Sequence, residues 1–460
     1  MSLRMQAWRY VRLGLFLFAI AMVWGASSQS AWANFGNNGR FGAVGGVSIS
    51  PTGVLSQPTA KEQQLRRDEM LKEAHKAPGE LNEAVELRMI SLRGLEEALT
   101  KAAGKAVEEL PQDLRYLAGI QRVKYVFVYP EERDIVLAGP GEGWKVDDKG
   151  NVIGVTTGRP VLRLEDLMIA FRTVENARQG NVTCSIDPSP EGRKRLENFL
   201  SKQGTFNAGV TDGVEKALGP QVITLSGVPT SSRFARTMVA SDYKMKRMAM
   251  QLEKAPVAGL PSFVEMLVKS NARIDNMMPR WWLACDYEPL AKAEDGLAWE
   301  LRGRGVKVMT EDELITADGD VKQTGKANPV AQKWADTMTA KYDELSVKEP
   351  AFGDLRNIMD MAVIAALISK ERMESKASLS LTHLVNATDA VKESVFPAPK
   401  MVDTQCSAVK RGKDWVITAS GGVAINSWEI ASKNVVDEKV AAVRNQAAGR
   451  PAEQMFWNKK

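Results

Sequence analysis

The chain has 460 residues, 44% of them hydrophobic and 25% charged, with a formal charge of +5, which suits a globular protein of roughly two or three domains. So balanced a charge gives no global reason to bind nucleic acid, whose affinity rests on many neutralised phosphates. Three widely spaced thiols, Cys184, Cys285 and Cys406, exclude a small disulfide-stapled scaffold: at most one intramolecular disulfide can form, and the odd thiol fits a small buried hydrophobe.

In chain order, Arg4, Arg9 and Arg12 precede a short apolar run, LGLFLFAIAMVWG (residues 13–25), and Ala31-Trp32-Ala33 has small-x-small spacing. Residues 1–33 therefore read as a cleavable export signal, and the mature chain is expected to begin at Asn34 with a formal charge of +2 once those three arginines are gone. The run is shorter than the roughly 18–20 residues of a membrane span, and no later segment is longer and uncharged, so no integral membrane segment is expected in the mature chain. No cysteine follows the cleavage site, which argues against a lipid anchor.

Residues 34–58 form a segment rich in Gly, Ser and Asn with one hairpin signal, Gly45 to Ile49 turning through Ser50-Pro-Thr-Gly53 into Val54-Leu55. Residues 59–110 read as helical: a charged helix or helical linker over 59–77, ended by Pro78-Gly79, and another helix over 92–103. Residues 111–373 read as a mixed α/β core. It opens with a β-meander over 123–129, 135–138 and 151–155, followed by a helix over 165–177. A strand over 182–186 leads into a helix capped by Ser189 and opened by Pro190, then comes a strand over 221–225. Phe234, Met238, Met245, Met248 and Leu252 recur as one helix face. Strands are expected over 280–284, 298–301 and 306–309, and helices over 329–345 and 352–372, the latter apolar almost all round and therefore buried. Residues 374–431 read as a β-rich part with strands over 415–418 and 421–426, and residues 432–460 as a polar, Ala-rich, loose tail. The fold class is α+β. The one internal echo, Gly45-Gly-Val-Ser-Ile49 against Gly421-Gly-Val-Ala-Ile425, is too short for a repeat architecture.

Five long words, DLRYLAGIQRVKYVFVYPEERDIVLAGPGEGW (113–144), RFARTMVASDYKMKRMAM (233–250), MPRWWLACDYEPL (278–290), TGKANPVAQKWADTMTAKYDEL (324–345) and SGGVAINSW (420–428), carry a resemblance to one family. Over about residues 45–428 the chain resembles an exported family, found chiefly in planctomycete bacteria, known as domain of unknown function 1598. The resemblance implies a bacterial exported protein. It brings no activity, cofactor or catalytic residue to carry over.

Local chemistry is sparse. His75 and His383 are the only histidines and neither sits in a ligand-spaced group, so no metal and no cofactor is expected. A Ser-His-Asp triad would need one of them, and no Gly-x-Ser-x-Gly elbow is present. Gly319 to Lys326 imitates a phosphate-binding loop but has one residue too many between its glycines and Ala327 in place of a hydroxyl; Asp318-Gly-Asp320 lacks the remaining ligands of a calcium loop. Both read as polar turns. Ser241-Asp-Tyr-Lys244 places a lysine one helical turn from a serine, the spelling of penicillin-recognising enzymes, without the partner motifs those enzymes need. The same helix carries Arg233, Arg236, Lys244, Lys246, Arg247 and Lys254, either a surface for anionic partners or a solvated face.

The best ligand-binding candidate is Trp281, Trp282, Asp286, Tyr287 and Glu288, with Trp299 and Glu300 nearby, since rings stacking on sugars beside carboxylates build many carbohydrate sites. In a strand, neighbouring tryptophans face opposite ways, so at most one of Trp281 and Trp282 lies in a groove; core packing of both rings is the other reading. Taken together the sequence points to an exported cell-envelope protein, periplasmic or extracellular, that binds envelope polymer or an envelope protein without catalysis. The alternative is a hydrolase of envelope polysaccharide or peptidoglycan, acting through Asp286 and Glu288 or through Ser241.

Overall fold

Alternating apolar residues build the first of two large sheets. In the computed structural model, which describes residues 46–73, 77–202, 210–270, 277–315, 321–323, 325–387, 390–411, 413–417, 419–448 and 454–459, seven strands run in the order Asn434–Val436, Leu290–Lys292, Ala298–Glu300, Tyr125–Tyr129, Asp134–Gly141, Val85–Ser91 and Phe456–Asn458. All neighbours are antiparallel except the first pair. Successive side chains on a strand face opposite ways. Val126, Val128, Ile135, Leu137 and Ile90 accordingly enter the main core, while Phe127, Tyr129, Val136, Ala138 and Met89 enter a second one. Val440 and Ala447, from the helix Lys439–Ala447, and Trp457 complete that second core. The C-terminal segment thus packs against the sheet and is not the loose tail expected from its composition. Arg444 holds it there, its Nε donating to Val128 O at 2.9 Å while its own carbonyl accepts from the Tyr129 hydroxyl at 2.9 Å.

The strand Val85–Ser91 was not expected, because Arg88 stands in its middle. Arg88 is fully buried and donates to Asn458 Oδ1 (2.8 Å) and to the carbonyls of Ala118 (2.5 Å), Glu83 (2.7 Å) and Leu81 (3.1 Å). Burial pulls its pKa down to about 10 against the pull of Glu142 and Glu83.

The second sheet has nine strands in the order Ser48–Ile49, Val54–Ser56, Met401–Val402, Gln221–Ser226, Val182–Pro188, Ser420–Ile425, Met277–Asp286, Gly305–Ile315 and Val321–Gln323. The echoing Gly-Gly-Val segments share this sheet but four strands separate them. Its inner face, with Cys184, Ile186, Val423, Trp281, Leu283, Val306 and Val308, joins the same main core as the first sheet. That core is filled by the helix Pro350–Lys370, buried from Pro350 to Ile368, which touches the helices Leu164–Arg172, Arg233–Ala249 and Ser427–Ser432. A helix buried on every side needs no polar face, which accounts for the unbroken apolar run from Met361 to Ile368.

Local signals match the structure at several helix ends. Ser189 accepts from Gly192 N at 3.0 Å with Pro190 in the first turn, and Ser232 accepts from Ala235 N at 3.1 Å. Other expectations change, and the helix expected over 165–177 is two, Leu164–Arg172 and Val174–Gly180. Val152–Gly154 pairs with Trp144–Val146 in a separate hairpin and does not extend the meander. The helix expected over 329–345 is two, Pro329–Ala340 and Tyr342–Lys348. Phe41–Lys460 is one compact unit, and its sheets draw strands from every segment between residue 46 and the end of the chain. No disulfide joins the three cysteines; all are buried, and burial pushes the Cys285 thiol up to about 12.

Candidate functional site

The strand Met277–Asp286 carries the two tryptophans, paired on one side with Gly305–Ile315 and on the other with Ser420–Ile425. Trp281 faces inward and is 0% exposed, its ring edge-on to Phe263 (centroids 5.0 Å) and Trp334 (5.1 Å). It reaches no surface and hence no ligand. Trp282 is half-buried on the opposite face, with the Arg280 guanidinium 5.6 Å from its ring centre. The two rings therefore do not act on one ligand. Trp281→Ala should cost about 3–5 kcal/mol by leaving a cavity between the rings of Phe263 and Trp334, and Trp282→Ala well under half of that, as urea unfolding of both variants would show.

At the end of this strand the backbone turns into a charged surface depression. Asp286 Oδ2 lies 3.5 Å from Arg304 Nη1. The Tyr287 hydroxyl donates to Asp360 Oδ1 at 2.6 Å, and Asp360, fully buried on the long helix, is gripped by Arg122 through Nε (2.8 Å) and Nη2 (3.3 Å). Arg122 Nη1 also donates to Gly303 O at 3.0 Å. Burial opposes the charge on Arg122, but Asp360 outweighs it and raises the pKa; burial, then Asp360, holds the Tyr287 phenol well above its usual value. Tyr287 is thus a neutral donor bracing Asp360.

Glu288 is exposed, and its backbone N–H donates to Arg302 O at 3.1 Å. That contact needs a glycine at 303: its φ is +103°, and a Cβ would stand 2.7 Å from Asp286 O. The resulting depression, about 330 Å³, is lined by Arg122, Lys124, Glu288, Glu300, Arg302 and Gly303 among others. Arg302 bridges Asp437 Oδ2 (2.5 Å) and Glu300 Oε2 (2.8 Å), and these hydrogen bonds, Asp437 first, raise its pKa. Lys124 Nζ stands 3.6 Å from Glu300 Oε1.

Of the five predicted residues, then, Glu288 alone lines this depression, Tyr287 braces Asp360 behind it, Asp286 lies in an ion pair with Arg304, Trp282 occupies another face and Trp281 the core. Trp299 is also fully buried. Arg122, Lys124, Asp360 and Arg302 were missed. One signal for them existed: Asp360 is the single charge within the apolar stretch from Ile358 to Ile368.

The helix Arg233–Ala249 overturns both readings of its cations. Arg233, Arg236, Lys244 and Lys246 are buried, Arg247 is half-buried and only Lys254, beyond the helix, is exposed. Arg233 binds Asp166, Asp354 (2.7 Å) and Glu165 (3.8 Å). Lys246 Nζ binds Asp242 Oδ2 (2.9 Å) and the carbonyl of Ile186 (2.9 Å). Lys244 Nζ lies between Glu349 (3.2 Å) and Glu253 (3.4 Å), while the Ser241 hydroxyl is fully buried 2.9 Å from both Thr237 O and Ala351 O. Ser241 is therefore a hydrogen-bonded core hydroxyl with its lysine engaged elsewhere, and not a nucleophile.

Burial pushes Asp242 up to about 6 despite Lys246, and Asp166 up to about 7 despite Arg233. Both are raised above their unfolded value, so their stabilising share is full at low pH and is lost as pH rises through the folded pKa. The carboxylates that are instead lowered, such as Glu142 and Glu371, act below their ordinary 4.5. The urea midpoint should therefore fall between pH 5 and pH 7.5, by on the order of 1 kcal/mol in stability; a rising midpoint would contradict the burial of these two acids.

His383 Nδ1 lies 2.8 Å from Glu96 Oε1, a link to the helix Leu92–Lys101. The export signal, His75 and Asp318-Gly-Asp320 lie outside the described residues, as do Gly319, Asp320 and Thr324 of the loop-like motif, whose Val321–Gln323 is an edge strand. Among the described residues no group of three or more His, Cys, Asp or Glu is placed to hold a metal, and no helix is long and apolar enough to cross a membrane.

Residues 184–263 match the family model described as Protein of unknown function (DUF1598), the family whose words the sequence resembles. No curated protein and no solved structure matches the chain. The matched stretch contains the charged buried helix Arg233–Ala249, whereas the depression is built from residues on either side of it.

Proposed function

We propose that this chain is an exported, non-catalytic binding protein of a bacterial cell envelope, periplasmic or extracellular, and that the depression beside Glu288 meets its ligand, an envelope polymer or envelope protein. Export is supported by the spelling of residues 1–33 and by the family resemblance. The depression is supported by one observation above others: its cations are fixed from behind. Arg122 is locked by Asp360 and Tyr287, and Arg302 by Asp437, while Glu288 stays exposed. Side chains already held in place lose little freedom on binding, which favours recognition.

Co-sedimentation of the secreted protein with isolated envelope polymer, at low and moderate salt, tests this. Wild type should pellet and Glu288→Ala should pellet several-fold less. If Trp282→Ala alone abolishes pelleting, the ligand surface is the open face of the nine-stranded sheet; with no pelleting at all, polymer recognition is lost and protein partners remain.

A hydrolase is the second reading, favoured by the presence of two carboxylates, Glu288 and Glu300, on one depression. It requires soluble fragments to be released from the polymer, and Glu300→Gln to stop their release. Bound polymer that stays intact over long incubation would remove it.

A further inference from the structure

The charges around the depression are not equally committed. Arg122 has Asp360 and the Gly303 carbonyl, and Arg302 has Glu300 and Asp437, all at hydrogen-bond distance. Glu300 is correspondingly used by Arg302. Two groups keep capacity. The Glu288 carboxylate is exposed and shows no ion pair among the described residues. Lys124, with 49% of its side chain exposed, has its Nζ at 3.6 Å from Glu300, beyond good hydrogen-bond length, and 5.2 Å from the Tyr125 ring centre.

These two residual charges have opposite sign and line the same small space. A purely anionic ligand would meet Glu288 and Glu300 there. A purely cationic one would meet Lys124, Arg302 and Arg122. A neutral sugar would leave both residual charges without a counter-charge. A ligand that carries an ammonium and a carboxylate a few bonds apart satisfies both, and charge-assisted hydrogen bonds are the stronger kind. A space of about 330 Å³ is at the small end of ligand sites and holds one or two amino-acid residues.

We infer that the depression recognises an amino-acid zwitterion, a short free peptide or a side branch ending in a diamino-diacid, with its ammonium on Glu288 and its carboxylate on Lys124. The inference rests on the proposal that this depression is the ligand-binding surface, and specifies the chemical class of what binds.

Calorimetric titration of the full secreted protein tests it with four probes: alanyl-alanine, its N-acetyl form, its C-terminal amide, and di-N-acetylchitobiose as an uncharged glycan. The free dipeptide should bind, and each blocked form should bind at least about tenfold more weakly. Glu288→Gln should reduce the free dipeptide to the affinity of the acetylated one and leave the acetylated one unchanged; Lys124→Met should do the same relative to the amide. Both residues are at the surface, so both variants keep the fold, which thermal melting checks. Equal binding of all three dipeptides, or binding of chitobiose alone, overturns the zwitterion while the depression remains the ligand surface. The zwitterion is equally overturned if no probe binds although polymer pelleting still depends on Glu288. If no probe binds and no polymer pellets, the zwitterion and the polymer-binding depression fail together.

Discussion

Arg233→Met is expected to destabilise the protein by about 3–5 kcal/mol, the cost typical of removing one partner from a buried ion pair. Arg233 is 7% exposed and is the common partner of Asp166, Asp354 and Glu165, of which Asp166 and Asp354 are buried as well. Without its guanidinium, the three carboxylates keep Arg163 as a nearby counter-charge in a water-poor space. A loss of that size is a large part of the roughly 5–15 kcal/mol that holds a domain folded. The pH dependence gives the expected result its signature. Burial already lifts Asp166 to about 7 with Arg233 in place, and removing the arginine lifts it further. The variant should therefore recover stability as pH falls from 8 to 5, because protonation removes the repulsion. Asp166→Asn in the same background should restore part of the loss at pH 8. Urea unfolding at both pH values checks this, and a variant that unfolds with the wild type at each would show the network to be energetically neutral.

That network also marks where sequence reasoning reached its limit. Of Phe234, Met238, Met245, Met248 and Leu252, whose spacing suggested one helix face, the first four are buried on the helix, while Leu252 is half-buried and lies beyond its end at Ala249. The cations between them looked solvated because the two acids nearby, Asp242 and Glu253, are too few to neutralise them all. Lys246 uses Asp242, and Lys244 and Arg247 use Glu253, but the other partners include Asp166, Asp354 and Glu349, which lie at least 67 residues away along the chain, and the carbonyls of Ile186 and Gly421. Charge pattern along one segment cannot disclose a counter-charge delivered by the fold. The same holds for Arg88, which hides a strand by placing a charge in its centre and then satisfies that charge with backbone carbonyls. In the C-terminal segment the few apolar positions, Val440, Ala447 and Trp457, are small or sparse, yet the sheet face they cover is already shaped by Phe127, Tyr129 and Met89. At the candidate site, Tyr287 and Glu288 were legible because they cluster in sequence. Arg122 and Asp360, 238 residues apart, were not.

Gly421→Ala is expected to be as damaging as the loss of Arg233, at about 3–5 kcal/mol, for a reason that is purely steric. Gly421 has φ +131°, a backbone region essentially closed to side chains, and a Cβ added there would stand 1.6 Å from Trp281 O. Its strand, Ser420–Ile425, is interior to the nine-stranded sheet, so it cannot retreat without breaking pairing to Val182–Pro188 or to Met277–Asp286. The Gly421 carbonyl also accepts from Lys246 Nζ at 3.3 Å, so a displaced strand withdraws an acceptor from the buried Lys246–Asp242 pair. Ala424→Ser, on the half-exposed face of the same strand, provides the control and should stay within about 0.5 kcal/mol. The consequence extends to the candidate site, because the strand that carries Trp281 runs directly into Asp286, Tyr287 and Glu288. Gly421→Ala should therefore speed amide exchange in the strand Met277–Asp286 and weaken ligand pelleting although every depression side chain is intact. A variant that unfolds within about 1 kcal/mol of wild type would mean that the strand can shift at little cost, and that the position of Glu288 is set by Arg122 and Asp360 and not by the sheet.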